Sequence, residues 1–137
     1  MTTNGWDARR IGYLLTSALA GQRYDEASAT WRKLDESAQR DVIIALAAQA
    51  RLAVREAGIP LQIDFAGLAD TSCTEARTVA ETAYEGTAPW SPPECPHCLE
   101  LVASALAEIQ LQAGVASGMP PSYIDLICRG KAIGGAA

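Results

Sequence analysis

Four adjacent residues have the types and the spacing to do chemistry: Cys95, Pro96, His97 and Cys98. Two thiols separated by two residues can close a small disulfide ring, or supply half of a tetrahedral metal site. In both cases the thiolate is the reacting form, so whatever lowers the thiol pKa sets the reactivity. Proline is favoured in the first turn of a helix. A helix opening at Pro96 places Cys95 at its N-cap, where unpaired N–H groups and the helix dipole favour negative charge. His97 adds a proton donor in the same turn. On this reading the chain is a dithiol oxidoreductase in which Cys95 attacks, Cys98 resolves the mixed disulfide, and His97 with Pro96 tunes the pair. A second reading adds Cys73 and Cys128 to Cys95 and Cys98 as four thiolates of a structural zinc site. That signal is one Cys-x-x-Cys pair and two single cysteines, short of two pairs. A third reading takes the cysteines as small buried hydrophobes with no special chemistry. All three remain open at the level of sequence.

Other catalytic constellations are incomplete. His97 is the only histidine in the chain, which excludes two-histidine metal helices and leaves a Ser-His-Asp triad with one base lodged between two cysteines. No glycine-rich phosphate loop follows a strand, since Gly134 and Gly135 fall at the C-terminal end. Glu75, Glu81, Glu85, Glu100 and Glu108 fall on the polar faces of their helices, as solvated carboxylates do. The balance points away from an enzyme and toward a non-catalytic interaction protein, an adaptor or small regulatory subunit. It needs no cofactor unless the cysteines hold zinc. Three aromatics are candidate partner-binding residues. Trp90 lies between Pro89 and Pro92, where it serves either as a lid on the core or as an exposed anchor. Tyr24 and Trp31 share one helical face.

The elements that must position these residues read as helices throughout. The first starts near Trp6 or Asp7 and carries Ile11, Leu14, Leu15, Ala18 and Leu19 at i, i+3, i+4, i+7 and i+8. Gly21 ends it, and a second helix follows with Tyr24, Ala27, Trp31 and Leu34 on one face; so short a break predicts an antiparallel hairpin. Asp35 is a fitting N-cap for a third helix, with Glu36 in its first turn and Ile43, Leu46, Ala47, Ala50, Val54 and Ala57 inward. Gly58 and Pro60 stop it. Leu61, Ile63 and Phe65 alternate with polar residues in an extended connector that drops Phe65 into the core. Ser72 and Glu75 form a capping-box pattern for a fourth helix with Ala76, Val79, Ala80 and Ala83 inward, closed by Gly86. A proline-rich loop covers residues 86–94. The fifth helix begins at Pro96, and its seam of Leu99, Val102, Leu106, Ile109 and Ala113 either packs inward or serves self-association. Residues 114–121 break it. A short last helix covers residues 122–129, with Ile124, Ile127 and Cys128 inward. The expected architecture is an all-α bundle of five or six helices around one core, a single domain over residues 1–137, with flexible tails at 1–5 and 130–137.

Residues 11–34 resemble a single tetratricopeptide-type helical hairpin through Gly21, Tyr24, Glu26, Ala27, Trp31 and Leu34. Gln22 and Arg23 make the turn one residue longer than that pattern, and Asp35 and Glu36 stand where it has a proline. No second copy follows at the repeat period. The resemblance implies helix packing and a surface for another polypeptide. Locally, Cys95-Pro96-His97-Cys98 is similar to the redox motif of the bacterial thiol-disulfide oxidoreductases of the thioredoxin superfamily, without the βαβ frame of that fold. The all-helical alkylhydroperoxidase D-like proteins also place Cys-x-x-Cys at a helix start, followed four residues later by a histidine. Here that position is Val102, and the upstream glutamate of that family is matched only loosely by Glu81 or Glu85.

Composition bounds the rest. The chain has 137 residues, about half of them apolar, with few aromatics. That is enough to bury a core without a metal or disulfide, and alanine-rich sequence suits closely packed helices. The net charge is −5, with Arg9, Arg10, Arg51 and Arg55 scattered among acids. A nucleic-acid or anionic-membrane partner is therefore not expected. Residues 1–6 lack the basic start and apolar run of a secretory signal, and no run of eighteen or more apolar residues suggests a span. The expectation is a cytoplasmic protein with reduced thiols that engages a protein partner or a second copy of itself.

Overall fold

The computed structural model describes residues 5–58, 74–86, 90–94 and 96–134. Among these residues the protein is an all-α bundle of six helices: α1 (Gly5–Ala20), α2 (Tyr24–Arg32), α3 (Glu36–Ala57), α4 (Thr74–Glu85), α5 (Pro96–Ala116) and α6 (Pro121–Gly134). The extended connector at Leu61, Ile63 and Phe65 and the cap at Ser72 lie outside the described residues, as do Cys73, Cys95 and residues 1–4, 87–89 and 135–137.

The helix punctuation follows local chemistry. Asp35 Oδ1 accepts the backbone N–H of Ala38 at 2.8 Å and opens α3, an interaction typically contributing about 1 kcal/mol. At the other end Gly58 takes a left-handed conformation, φ 66°, that a side chain would resist. The α1–α2 turn is the antiparallel hairpin expected from its length, and α5 opens at Pro96.

The central element is α5. Leu99, Val102, Leu106 and Ile109 are fully buried, and the helix packs on α1, α3, α4 and α6. By length and composition α5 alone among the described residues could cross a membrane, yet 61% of that stretch is buried inside the bundle. A helix apolar on most of its circumference must be surrounded, and here protein does the surrounding. The seam considered for self-association is therefore occupied within the chain.

Two helix ends lie further along the chain than expected. The break read over 114–121 falls within that span, with α5 continuing through Gly114 to Ala116 and α6 starting at Pro121. Gly114 is a contact point: a Cβ there would lie 2.6 Å from Ile124 Cδ1, so the missing side chain lets α6 approach α5. Likewise, the last helix extends to Gly134, and the segment from Gly130, read as tail, is helical over 130–134. Ile124, Cys128 and Ala132 form an i, i+4, i+8 stripe buried to the end of the helix, and its burial outweighs the poor helix propensity of Gly130.

The apolar interior is also divided. The main cluster joins α1 to α5 and includes Leu15, Trp31, Ile43, Leu46, Leu99 and Leu106. A second, smaller cluster of Tyr13, Ala20, Ile124, Cys128 and Ala132 seats α6 on the other side of α1. Lying between the two, α1 is buried on more sides than its apolar stripe suggested, and its Thr16 and Ser17 are 0% and 1% exposed. Buried polar groups need partners. Thr16 Oγ1 donates to Gln110 Oε1 of α5 at 2.8 Å, and Gln49 Nε2 of α3 donates to the Arg9 carbonyl at 2.9 Å.

A charged junction fastens α6 to the α1–α2 turn. Arg23 grips the Asp125 carboxylate with both terminal nitrogens, at 2.8 and 3.0 Å, and its Nε donates to Glu26 at 2.7 Å. The Ser17 hydroxyl also bonds Asp125 Oδ1, and Arg129 approaches the same oxygen at 3.3 Å. The Arg23 fork, with the Ser17 hydroxyl and Arg129 beside it, holds the Asp125 carboxyl down at about 2 against partial desolvation. Asp125 and Glu26 in turn raise the Arg23 pKa. The turn residue beyond the tetratricopeptide pattern is thus accommodated by Gln22 at a positive φ of 60°, and Arg23 beside it reaches α6.

Candidate functional site

Three helices leave a groove on the main cluster. α1 contributes Leu15 and Leu19; α2 contributes Tyr24, Ala27, Ser28 and Trp31; α5 contributes Glu100, Ala103, Ser104 and Ala107. The α2 and α5 sets each follow the i, i+3, i+4, i+7 spacing of one helical face. The sequence explains why the space is unfilled. α2 packs on α1 but not closely on α5, and apart from Glu100 α5 answers it with the small side chains of Ala103, Ser104 and Ala107. What remains is a mostly apolar cavity of about 150 Å³.

Tyr24 and Trp31, placed on one face by sequence, both line this groove with distinct roles. Trp31 is 5% exposed and belongs to the core, forming part of the groove wall, whereas Tyr24 at the lip is 58% exposed. Trp90 is half-buried and packs against the main cluster, the lid arrangement of the two considered for it. Among the described residues lining the groove, Glu100 is the only charged one. It was assigned to a solvated face, and the structure makes it half-buried. Spacing from Leu99 shows that Glu100 leaves the core seam; only the position of α2 shows what it faces.

Of the four cysteines, the described residues include Cys98 and Cys128, which lie in different clusters. Cys98 lies in the first turn of α5 and is 5% exposed in the main cluster, while His97 beside it is exposed. Cys128 sits in the other cluster, where desolvation raises its thiol to about 11. Such a thiol stays protonated at neutral pH and is a poor nucleophile. Among the described residues no group of three or more His, Cys, Asp or Glu side chains is arranged to hold a metal. The other members of the two proposed sets, Cys73 and Cys95, fall outside the described residues.

The residues that sequence reading missed are polar: Thr16, Ser17, Gln49, Gln110, Arg23 and Asp125. A signal for several was available, since Thr16 and Ser17 interrupt the apolar face of α1 and Gln110 follows Ile109 in the most apolar helix. The pairs of Thr16 with Gln110 and of Ser17 and Arg23 with Asp125 span 94 to 108 residues, and Gln49 bonds a carbonyl 40 residues away, beyond the reach of local pattern.

No protein-family model, curated protein or solved structure matches the chain.

Proposed function

We propose that this protein is a non-catalytic interaction protein, an adaptor or small regulatory subunit, that grips another polypeptide in the groove between α2 and α5. The carrying observation is the apolar groove with Tyr24 standing more than half exposed at its lip. Leaving a large aromatic wet beside an unfilled apolar depression wastes burial that a partner side chain would recover, and tyrosine is a recurrent anchor at interfaces. Because Glu100 is the one charge among the described lining residues, the matching segment is an apolar side chain flanked by Lys or Arg. The net charge of −5 steers such a segment toward the protein. Exposed Ile44 and Leu52 on α3, and Tyr123, Leu126 and Ile133 on α6, offer further apolar surface.

The test is selection of binding peptides from a random library, followed by titration against Tyr24→Ala and Ala107→Gln. A groove-bound peptide is expected to lose about tenfold or more in affinity with either substitution, while the unfolding midpoint moves little for the exposed Tyr24. Binders insensitive to both substitutions, or none with an apolar-basic motif, would refute the groove.

The dithiol reading retains one supporting observation, the start of α5 at Pro96 with His97 exposed. Metal content and thiol titration on one untagged sample address it together with zinc. Without zinc or redox chemistry, the protein carries no stoichiometric metal, and Cys128 reacts with a thiol reagent at pH 8 only after unfolding. One zinc per chain, or a disulfide that forms reversibly and changes activity toward a disulfide substrate, would displace the interaction reading.

A further inference from the structure

A second cavity, of about 220 Å³, lies where α3, α5 and α6 meet. No residue lines both this cavity and the α2–α5 groove. Its lining is mixed, and Met119, Ile124, Ile127 and Cys128 supply the apolar part. Cys128, with its thiol raised to about 11, behaves there as a neutral hydrophobe.

Four polar side chains line it: Ser117, whose hydroxyl bonds the Ala113 and Gly114 carbonyls, Gln110, and the exposed Lys131 and Glu56 at its mouth. Gln110 is 7% exposed and lines the cavity. Its Oε1 is committed to the Thr16 hydroxyl at 2.8 Å, which leaves the amino group of the same carboxamide as a donor for the cavity. Lys131 lines the cavity from α6, its ammonium held 5.4 Å from the centre of the Tyr13 ring. Glu56 contributes a carboxylate from α3, and the ion pairs among the described residues do not join it to Lys131. One cation, one anion and one buried amide donor beside apolar side chains match a ligand that carries both charges.

We propose that this cavity binds a small zwitterion with an apolar side chain, the chemistry of a free aliphatic α-amino acid. The carboxylate meets Lys131 and the Gln110 amino group, the ammonium meets Glu56, and the side chain packs against Ile124 and Cys128. A purely anionic ligand would face Glu56, and a purely cationic one Lys131, so each singly charged analogue loses an attraction and meets a repulsion.

The experiment is calorimetric or NMR titration of the full chain with L-leucine and L-valine, beside 4-methylpentanoate and 3-methylbutylamine, which lack one charge each. Saturable binding of an amino acid is expected, weaker by about tenfold or more for each analogue and for Lys131→Met, in line with the worth of a charged hydrogen bond. Ala57→Leu, which fills the cavity with apolar atoms, is expected to abolish binding while retaining the helical circular dichroism of the parent. Absence of binding at millimolar concentration, equal binding of a singly charged analogue, or full binding by a folded Ala57→Leu protein would overturn the proposal. The peptide titrations at the α2–α5 groove read a different surface, so either result stands without the other.

Discussion

Replacing Leu106 by alanine is expected to lower the unfolding free energy by about 3 kcal/mol, within the 2–5 kcal/mol that such truncations cost at well-packed sites. Leu106 is fully buried in the middle of α5, the helix that contacts four of the other five. Removing its branched end deletes transfer free energy and leaves a cavity that rigid helices on several sides cannot close. For a domain whose total stability is typically about 5–15 kcal/mol, that is a large fraction. Urea unfolding followed by circular dichroism measures it, with an unchanged m-value as the sign that the two-state comparison holds. A loss below about 1 kcal/mol would mean that the space around Leu106 collapses freely, and α5 would not be the centre of the fold.

The second large effect concerns Asp125. Asp125→Asn keeps the shape of the side chain but removes the charge that Arg23 grips with two nitrogens. The folded carboxyl sits at about 2, below its ordinary 3.8, so the folded state favours the carboxylate. The stabilisation is then complete above about pH 4 and is lost as the pH falls from about 4 toward 2. The Asp125 side chain is 15% exposed and that of Arg23 33%. Allowing for the solvent that screens such a pair, the worth of the Asp125 charge is about 1–2 kcal/mol. Stability measured at pH 6 and at pH 2.5 should therefore fall less between the two in Asp125→Asn than in the parent. Parallel pH profiles would show that the fork is not stabilising. Because the junction ties α6 to the α1–α2 turn, amide exchange in Pro121–Gly134 should also accelerate more than exchange in α3. Uniform acceleration would mean that α6 opens only with the whole bundle.

The amino-acid sequence by itself determined the helices and their punctuation. Asp35, Gly58, Gly86 and Pro96 act through their own backbone and nearest neighbours, and the stripe on α3 needs only the helical period, so these were legible without coordinates. The dithiol motif was legible too, as a spacing. What the tertiary structure alone decided is which faces meet. The period of α5 revealed an apolar seam but not whether a second copy or the rest of the chain would cover it. Trp31 and Tyr24 share a face by sequence, yet the packing buries one and exposes the other. Gly130 reads as the start of a tail because propensity is local, and the burial of Ala132 overrules it. Thr16 with Gln110 and Arg23 with Asp125 are pairs across 94 and 102 positions. A polar residue within an apolar pattern announces only that it needs a partner; which partner depends on how the chain closes on itself.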